Sequence, residues 1–487
     1  MTCAIVWFRQ DLRLADNPAL SVALDACEQV IPLYVHSLNE AGMWRPGAAS
    51  DWWLHYSLGA LDESLRAIGS RLVIRRGSSL DAIRHLVRES GATHVFWNRL
   101  YEPLHIERDK HIKLALRDDG LSIESYNGSL LFEPWQGTKA DGRPYRVFTP
   151  FWRACIKTGL PASLHSAPAA LPAVPSEIAT LEPADLGLLP TIAWDAGLRS
   201  AWRAGEGAAV ESLTAFIKES IATYDNDRDR PDLSRTSRLS PHLHFGEISP
   251  RQVVERISAS NDTRVFGGRG KGEQVFLAEI GWREFAYHSL YHFPDTTDSP
   301  LDKRFEDFPW AVGYESQLLA WQRGMTGIPM VDAGMRELWR TGWMHNRVRM
   351  IVASFLTKNL LVPWQEGARW FWDTLVDADL ASNTAGWQWT AGSGTDAAPY
   401  FRVFNPVLQG QRYDPDGAYV RRWIPEIAKL PGKYLHQPWT APAKTLSAAG
   451  IVPGETYPKP IADLKASRER ALACYARIRE PRRGLRE

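Results

Sequence analysis

Cysteine is scarce in this chain: 487 residues contain only Cys3, Cys27, Cys155 and Cys474, far apart and with no C-x-x-C pair. That spacing offers neither a disulfide framework nor a cysteine metal site, and it suits a reduced, cytoplasmic protein. Long apolar runs are missing too. No window reaches the roughly eighteen apolar residues of a membrane span, and Arg9 and Asp11 follow the first apolar run too closely for a secretory leader. Charge of one sign is absent as an excess: 57 Lys+Arg against 56 Asp+Glu leave +1, so any nucleic-acid surface must be a local basic patch. H-E-x-x-H, G-x-S-x-G and G-x-x-x-x-G-K-[ST] do not occur, which weakens every common hydrolase and Walker-type reading. Asp225, Asp227 and Asp229 have calcium-loop spacing. However, Arg230 stands where that loop needs glycine and Thr236 where it needs a bidentate glutamate, so no metal site is expected.

What the chain has in plenty is tryptophan, 21 in all, more than apolar filling requires when Leu and Val serve as well. Up to about residue 127, short β-branched and aromatic runs (4–8, 30–35, 72–75, 94–97, 123–126) alternate with helical patterns (18–26, 49–68, 80–89, 106–117). Regular alternation predicts a parallel sheet with right-handed crossovers. The first run leads into Arg9-Gln10-Asp11-Leu12-Arg13 rather than G-x-G-x-x-G, so the domain is Rossmann-like without the glycine fingerprint. A Pro- and Ala-rich stretch at 160–190 reads as a connector wrapping the surface. From about residue 201 helical spacing takes over, with Val331, Met335, Leu338 and Trp339 on one face and Val348, Val352, Phe355 and Leu356 on another. The expected class is an α/β N-terminal domain plus an all-helical C-terminal domain, divided as 1–135, 136–200 and 201–487. The end, RIREPRRGLRE, reads as a solvated basic tail.

The stretch 341–389 is the anomaly. It sets Asn346, Arg347, Arg349, Asp377, Asp379 and Asn383 among apolar and tryptophan residues, and burying unpaired polar groups costs roughly 2–7 kcal/mol each. Something polar must be held there. Asn346 and Met350 are i and i+4 with Arg349 beside them, while Arg347 points about 100° away. Phe276, Glu279, Trp282 and Arg283 share a face offering an acceptor, a ring and a cation, suited to a flat heterocycle; a surface salt bridge beside a core Trp fits that spacing equally. Thr236, Ser237, Arg238, Leu239 and Ser240 put hydroxyls and a cation before a helical pattern, as a phosphate cradle or a simple N-cap would.

At these residues the chain resembles the DNA photolyase/cryptochrome flavoproteins, most closely a class I-type cyclobutane pyrimidine dimer photolyase. The resemblance spans nearly the whole length: VWFRQDLRLADNPAL (6–20), YRVFTPFW (145–152), TSRLSPHLHFGEISPR (236–251), EIGWREF (279–285), TGWMHNRVRM (341–350) and WQWTAGSGTDAAPYFRVFNP (387–406). It implies an antenna-type domain, a connector, and a helical domain that holds folded-up FAD and binds DNA. By the same resemblance, Tyr224 and Thr236, Ser237, Arg238, Leu239 and Ser240 attend the diphosphate. Arg349 and Asp377 form an ion pair beside the isoalloxazine, with Ala378 between the two aspartates, Asp379 at its polar edge and Asn383 facing N5.

Cryptochrome receptors are expected to replace that Asn and to carry a long C-terminal extension, so repair is favoured and a blue-light receptor without repair is the alternative. Glu279, Asn346, Met350 and Asn383 are the implied catalytic residues. Glu279, Trp282, Arg283, Asn346 and Arg347 are the implied contacts with dimer-containing DNA. In (6-4) photolyases two histidines would stand at Asn346 and Met350; splitting a cyclobutane ring needs only an electron lent and returned. Trp387, Trp364 and Trp310 resemble the chain that feeds electrons to the flavin. In folate-binding members a carboxylate follows the fourth strand where His105 stands here, with Glu102 upstream, so methenyltetrahydrofolate, deazaflavin or no antenna are all open. A monomer is expected.

Overall fold

The computed structural model describes residues 2–159, 164–259, 270–397 and 401–479. Most of the basic tail, 480–487, and part of the last family-like segment, 398–400, lie outside them. The chain forms two compact units, Met1–Asp225 with Thr236–Pro294 and Val376–Ala381, and Asn226–Arg235 with Asp295–Leu375 and Ser382–Glu487.

In the first unit, strands β1 (Cys3–Phe8), β2 (Gln29–His36), β3 (Val73–Arg76), β4 (His94–Asn98) and β5 (Ser122–Tyr126) form one parallel sheet in the order β3-β2-β1-β4-β5. Helices α1 (Pro18–Ala26), α2 (Ala48–Ala67), α3 (Ser79–Ser90) and α4 (Pro103–Asp118) make the crossovers. Every residue of β1 is buried, as expected for a parallel strand covered on both faces. Local chemistry starts the helices. Asn17 caps α1 by accepting from the Leu20 N–H ahead of Pro18, and Ser78 caps α3 by accepting from Asp81.

Open sheets usually bind ligands where the strand order reverses, here between the ends of β1 and β4. In this chain side chains tie that point together. Arg9 pairs with Asp109 at 2.8 Å and donates to the Asn98 carbonyl, while Asn98 Nδ2 donates to Asp11 at 2.6 Å. The residues that replace the glycine fingerprint are therefore structural. The connector lies on this domain: Leu171, Leu186 and Leu188 are buried with the α1 and α2 side of the sheet, Val174 and Ile178 with the other.

The rest of the first unit is helical. Glu206–Glu219, Pro250–Ala259 and Lys271–His292 enclose a core that includes Phe216, Val253, Phe276 and Phe285. The second unit is helical among its described residues. Pro329–Thr341 stops at Gly342, whose φ of 66° suits glycine, and His345 then caps Asn346–Ser354. A π-helical turn, Phe355–Asn359, follows. Its buried Lys358 donates to the Ala391 carbonyl at 2.6 Å, closing the C-terminal end of Leu380–Ala391. Val331, Met335 and Leu338 are buried as their spacing predicts. Trp339 departs from that face: it is 62% exposed and stacked on Trp370 at 5.9 Å.

Candidate functional site

Helix Lys271–His292 sorts its polar residues by face. Glu279 is half-buried, and three residues on Trp282 lies 36% exposed, stacked on Phe148 at 3.9 Å and 11°. A ring fixed flat on a second ring presents its outer face with little entropy left to lose. Arg283 shares their helical spacing but turns inward. Its side chain is 12% exposed and its Nη1 donates to the Ser129 carbonyl at 2.8 Å, so the guanidinium holds backbone.

The segment Val376–Ala381 carries Asp377, Ala378 and Asp379, all buried. Tyr287 donates its hydroxyl to Asp379 Oδ2, and His244 Nδ1 stands 3.6 Å from the same oxygen. Burial alone would raise the Asp379 pKa, but His244, Arg283 and Tyr287 outweigh it and hold the carboxyl below its usual range. A buried carboxylate that keeps its charge suits a ligand with N–H donors. Tyr287 and His244 escaped the sequence reading because only the fold brings them to Asp379, 92 and 135 residues away along the chain (379 − 287 and 379 − 244).

Tyr224 is buried edge-on to Phe216 and Phe276, and Ser237 Oγ accepts from the Leu239 N–H at 3.4 Å. Arg238 has φ +52 and lies over Trp202 at 4.0 Å; Ser240 opens the short helix Ser240–His244. A bulky residue at positive φ is held there by its surroundings. Glu102 and His105, at the start of α4, stand 2.9 Å apart.

In the second unit Asn346 is exposed at the first position of its helix and Met350 half-buried one turn on. The cap behind them is His345, whose Nδ1 accepts from the Arg347 N–H at 3.2 Å. Burial lowers the His345 pKa to about 4, so the ring is neutral and free to accept. Arg349 Nε donates to the Met344 carbonyl at 2.7 Å. Asn383 Nδ2 donates to the Ala368 carbonyl at 3.1 Å, which fixes the orientation of its amide.

Trp387 and Trp364 are buried. Trp387 lies against Gly367 and meets Phe371 at 5.1 Å and Trp321 at 6.3 Å. Trp310 sits in a separate aromatic cluster, 4.5 Å from Phe308. Trp321, which the sequence reading did not single out, is thus a ring neighbour of Trp387. Among the described residues no group of His, Cys, Asp and Glu could hold a metal ion, and no helix is long and apolar enough to cross a membrane.

Residues 276–477 match the model of the FAD binding domain of DNA photolyase, and residues 4–175 match that of DNA photolyase. The chain belongs to the DNA photolyase/cryptochrome family. With membership come FAD as cofactor and the photo-lyase class of enzyme, which serves DNA repair. The deoxyribodipyrimidine photo-lyase of Agrobacterium fabrum is 47% identical over 98% of both chains. Cryptochrome-1 of Arabidopsis thaliana is 41% identical over 96% of this chain and 69% of its own. Among solved structures, a bacterial class III photolyase from Agrobacterium tumefaciens superposes with a TM-score of 0.94 at 46% identity, covering 99% of this chain and 98% of that one. The family and the fold class expected from the sequence are borne out. These relatives do not carry the class I expectation, since that photolyase is named class III.

Proposed function

We propose that this chain repairs cyclobutane pyrimidine dimers in DNA under blue light, as a cytoplasmic monomer. One observation carries the reading: Trp282, stacked on Phe148 at 3.9 Å, offers an open ring face one helical turn from Glu279. A dimer turned out of the duplex needs that combination, a flat platform and an acceptor for the base edge. Photolyases are among the enzymes that flip their target, and a damaged base unstacks more cheaply than an intact one. Stacking on such a ring is worth about 1–3 kcal/mol per base.

By the family resemblance Asn346 and Met350 are also substrate residues, and Arg347 serves the phosphates. Asp377, Ala378, Asp379, Asn383 and Arg349 would hold the flavin ring of FAD, with Tyr224 and residues 236–240 at its diphosphate. The ionised, buried Asp379 fits such a ring because it accepts from N–H donors. FAD, when bound and reduced, supplies the electron that opens the ring under light. Asn383, its amide fixed by the Ala368 carbonyl, gives that electron a neutral polar neighbour, and Trp387 and Trp364 restore electrons from the protein side. Glu102 and His105 mark where the N-terminal domain would meet an antenna pigment, with folate, deazaflavin and no antenna all open.

The test mixes the reduced, FAD-loaded protein with dimer-containing DNA and counts dimers in blue light and in darkness. Loss of dimers in light alone is expected. Equal counts in both would overturn repair and leave the receptor reading.

A further inference from the structure

Arg347, the proposed phosphate contact, is already engaged inside its own unit. Its Nη2 lies 2.7 Å and its Nε 3.3 Å from the two carboxylate oxygens of Asp229. Its guanidinium also stands 4.5 Å from the centre of the Tyr413 ring, which Arg412 shares at 5.1 Å. One edge of the fork is therefore taken, and a ring lies against the group. A bidentate carboxylate on an arginine fixes direction as well as charge. The pair is partly open to solvent, with side chains 17% and 30% exposed, so DNA can reach it. Arg347 also sits in the first turn of helix Asn346–Ser354, the end where a cation is unfavourable, and Asp229 offsets that.

We propose that Asp229 is a specificity-determining residue. It aims the free Nη1 edge of Arg347 for the lesion site beside Asn346 and withholds the cation from the phosphates of undamaged DNA. The inference rests on the DNA-repair reading. Non-specific affinity follows the number of phosphates a protein neutralises, so a cation held by an internal carboxylate is a cation removed from that count. An aimed guanidinium, by contrast, still serves a fixed phosphate next to a flipped dimer. The gain from freeing Arg347 should then be larger for intact DNA than for damaged DNA.

The experiment measures binding in the dark, over a range of salt, of one duplex with and without a single dimer. For Asp229→Asn the affinity for undamaged duplex should rise about three- to fivefold at low salt, the scale of a partly exposed ion pair. Its log affinity should fall more steeply with log salt, by about one unit of slope. The dimer-containing duplex should gain less, so the ratio of the two affinities falls. Asp229→Glu, which keeps the carboxylate, should hold the wild-type ratio. In an Arg347→Ala background, Asp229→Asn should leave the ratio unmoved, because the two residues act as one unit. An unchanged or rising ratio in Asp229→Asn overturns the proposal, as does an equal fall without Arg347, which would mark a general charge effect. A wild-type protein that binds both duplexes alike, and repairs nothing in light, overturns the repair reading itself.

Discussion

Two buried carboxyls of the first unit are driven in opposite directions. Asp379 is held ionised by its partners, whereas Glu284, fully enclosed in helix Lys271–His292, is pushed up to about 7 by burial, against the pull of Arg283 and of the Leu131 and Phe132 N–H groups. Those two N–H groups reach Glu284 Oε2 at 3.0 and 3.1 Å, an oxygen that can accept both in the neutral carboxyl too, though less strongly than in the ionised one. In the unfolded chain the same carboxyl releases its proton near about 4.3. Between that value and about 7 the folded form binds more protons. The contribution of Glu284 is thus fully present below the unfolded value and is lost as pH rises through the folded one, by at most roughly 4 kcal/mol. In Glu284→Gln the amide oxygen can accept the same two N–H bonds and nothing titrates. Urea midpoints of the two proteins at pH 5 and pH 8 check this: wild type should lose ground to the variant as pH rises, and parallel pH profiles would refute the assignment.

At the scale of elements, the sequence foretold most where the pattern is local. The five strands and four crossover helices up to Tyr126 lie within about two or three residues of their expected bounds, because period and capping act over a few residues. It foretold least where the outcome depends on what packs against a face. Trp339 has the spacing of a core residue and is exposed, because Trp370 from another helix supplies a flat partner at the surface. Arg283 has the spacing of a surface cation and turns inward, because the carbonyl of Ser129 lies within reach. The seat of Trp387 was hidden for the same reason. A Cβ on Gly367 would stand 2.0 Å from the Trp387 ring, and Phe371 and Trp321 at 5.1 and 6.3 Å leave that ring little room to retreat. Gly367→Ala gains about 1 kcal/mol of helix propensity and faces an overpacking cost of about 1–3 kcal/mol or more. The balance should be destabilising by roughly 1–2 kcal/mol and should displace the ring. A lowered melting temperature together with altered tryptophan fluorescence is expected. A variant more stable than wild type would mean that the helix carrying Trp387 is not seated on Gly367.

For the molecule as a whole, the sequence located the polar anomaly at 341–389 but not its partners, since Arg347 finds Asp229 across 118 residues and Asp379 finds Tyr287 across 92. Only the long family-like segments assigned cofactor and substrate, and beyond Trp387 the structure adds Trp321 as a second tryptophan to weigh beside Trp364. Resemblance points to Trp364, while Trp321, whose Nε1 donates to the Val352 carbonyl at 3.0 Å, stands edge-on to Trp387 with ring centres 6.3 Å apart. If Trp387 relays electrons to FAD, Trp387→Phe keeps an aromatic ring in the slot but removes the indole that can be oxidised. Light-driven reduction of the oxidised cofactor should then collapse, while protein reduced chemically beforehand still clears dimers at the wild-type rate. Loss of both activities would instead mark Trp387 as a packing residue. The same pair of measurements decides the next step: Trp364→Phe should stop photoreduction and Trp321→Phe should spare it if the route follows the family, and the reverse result would place the electron path through Trp321.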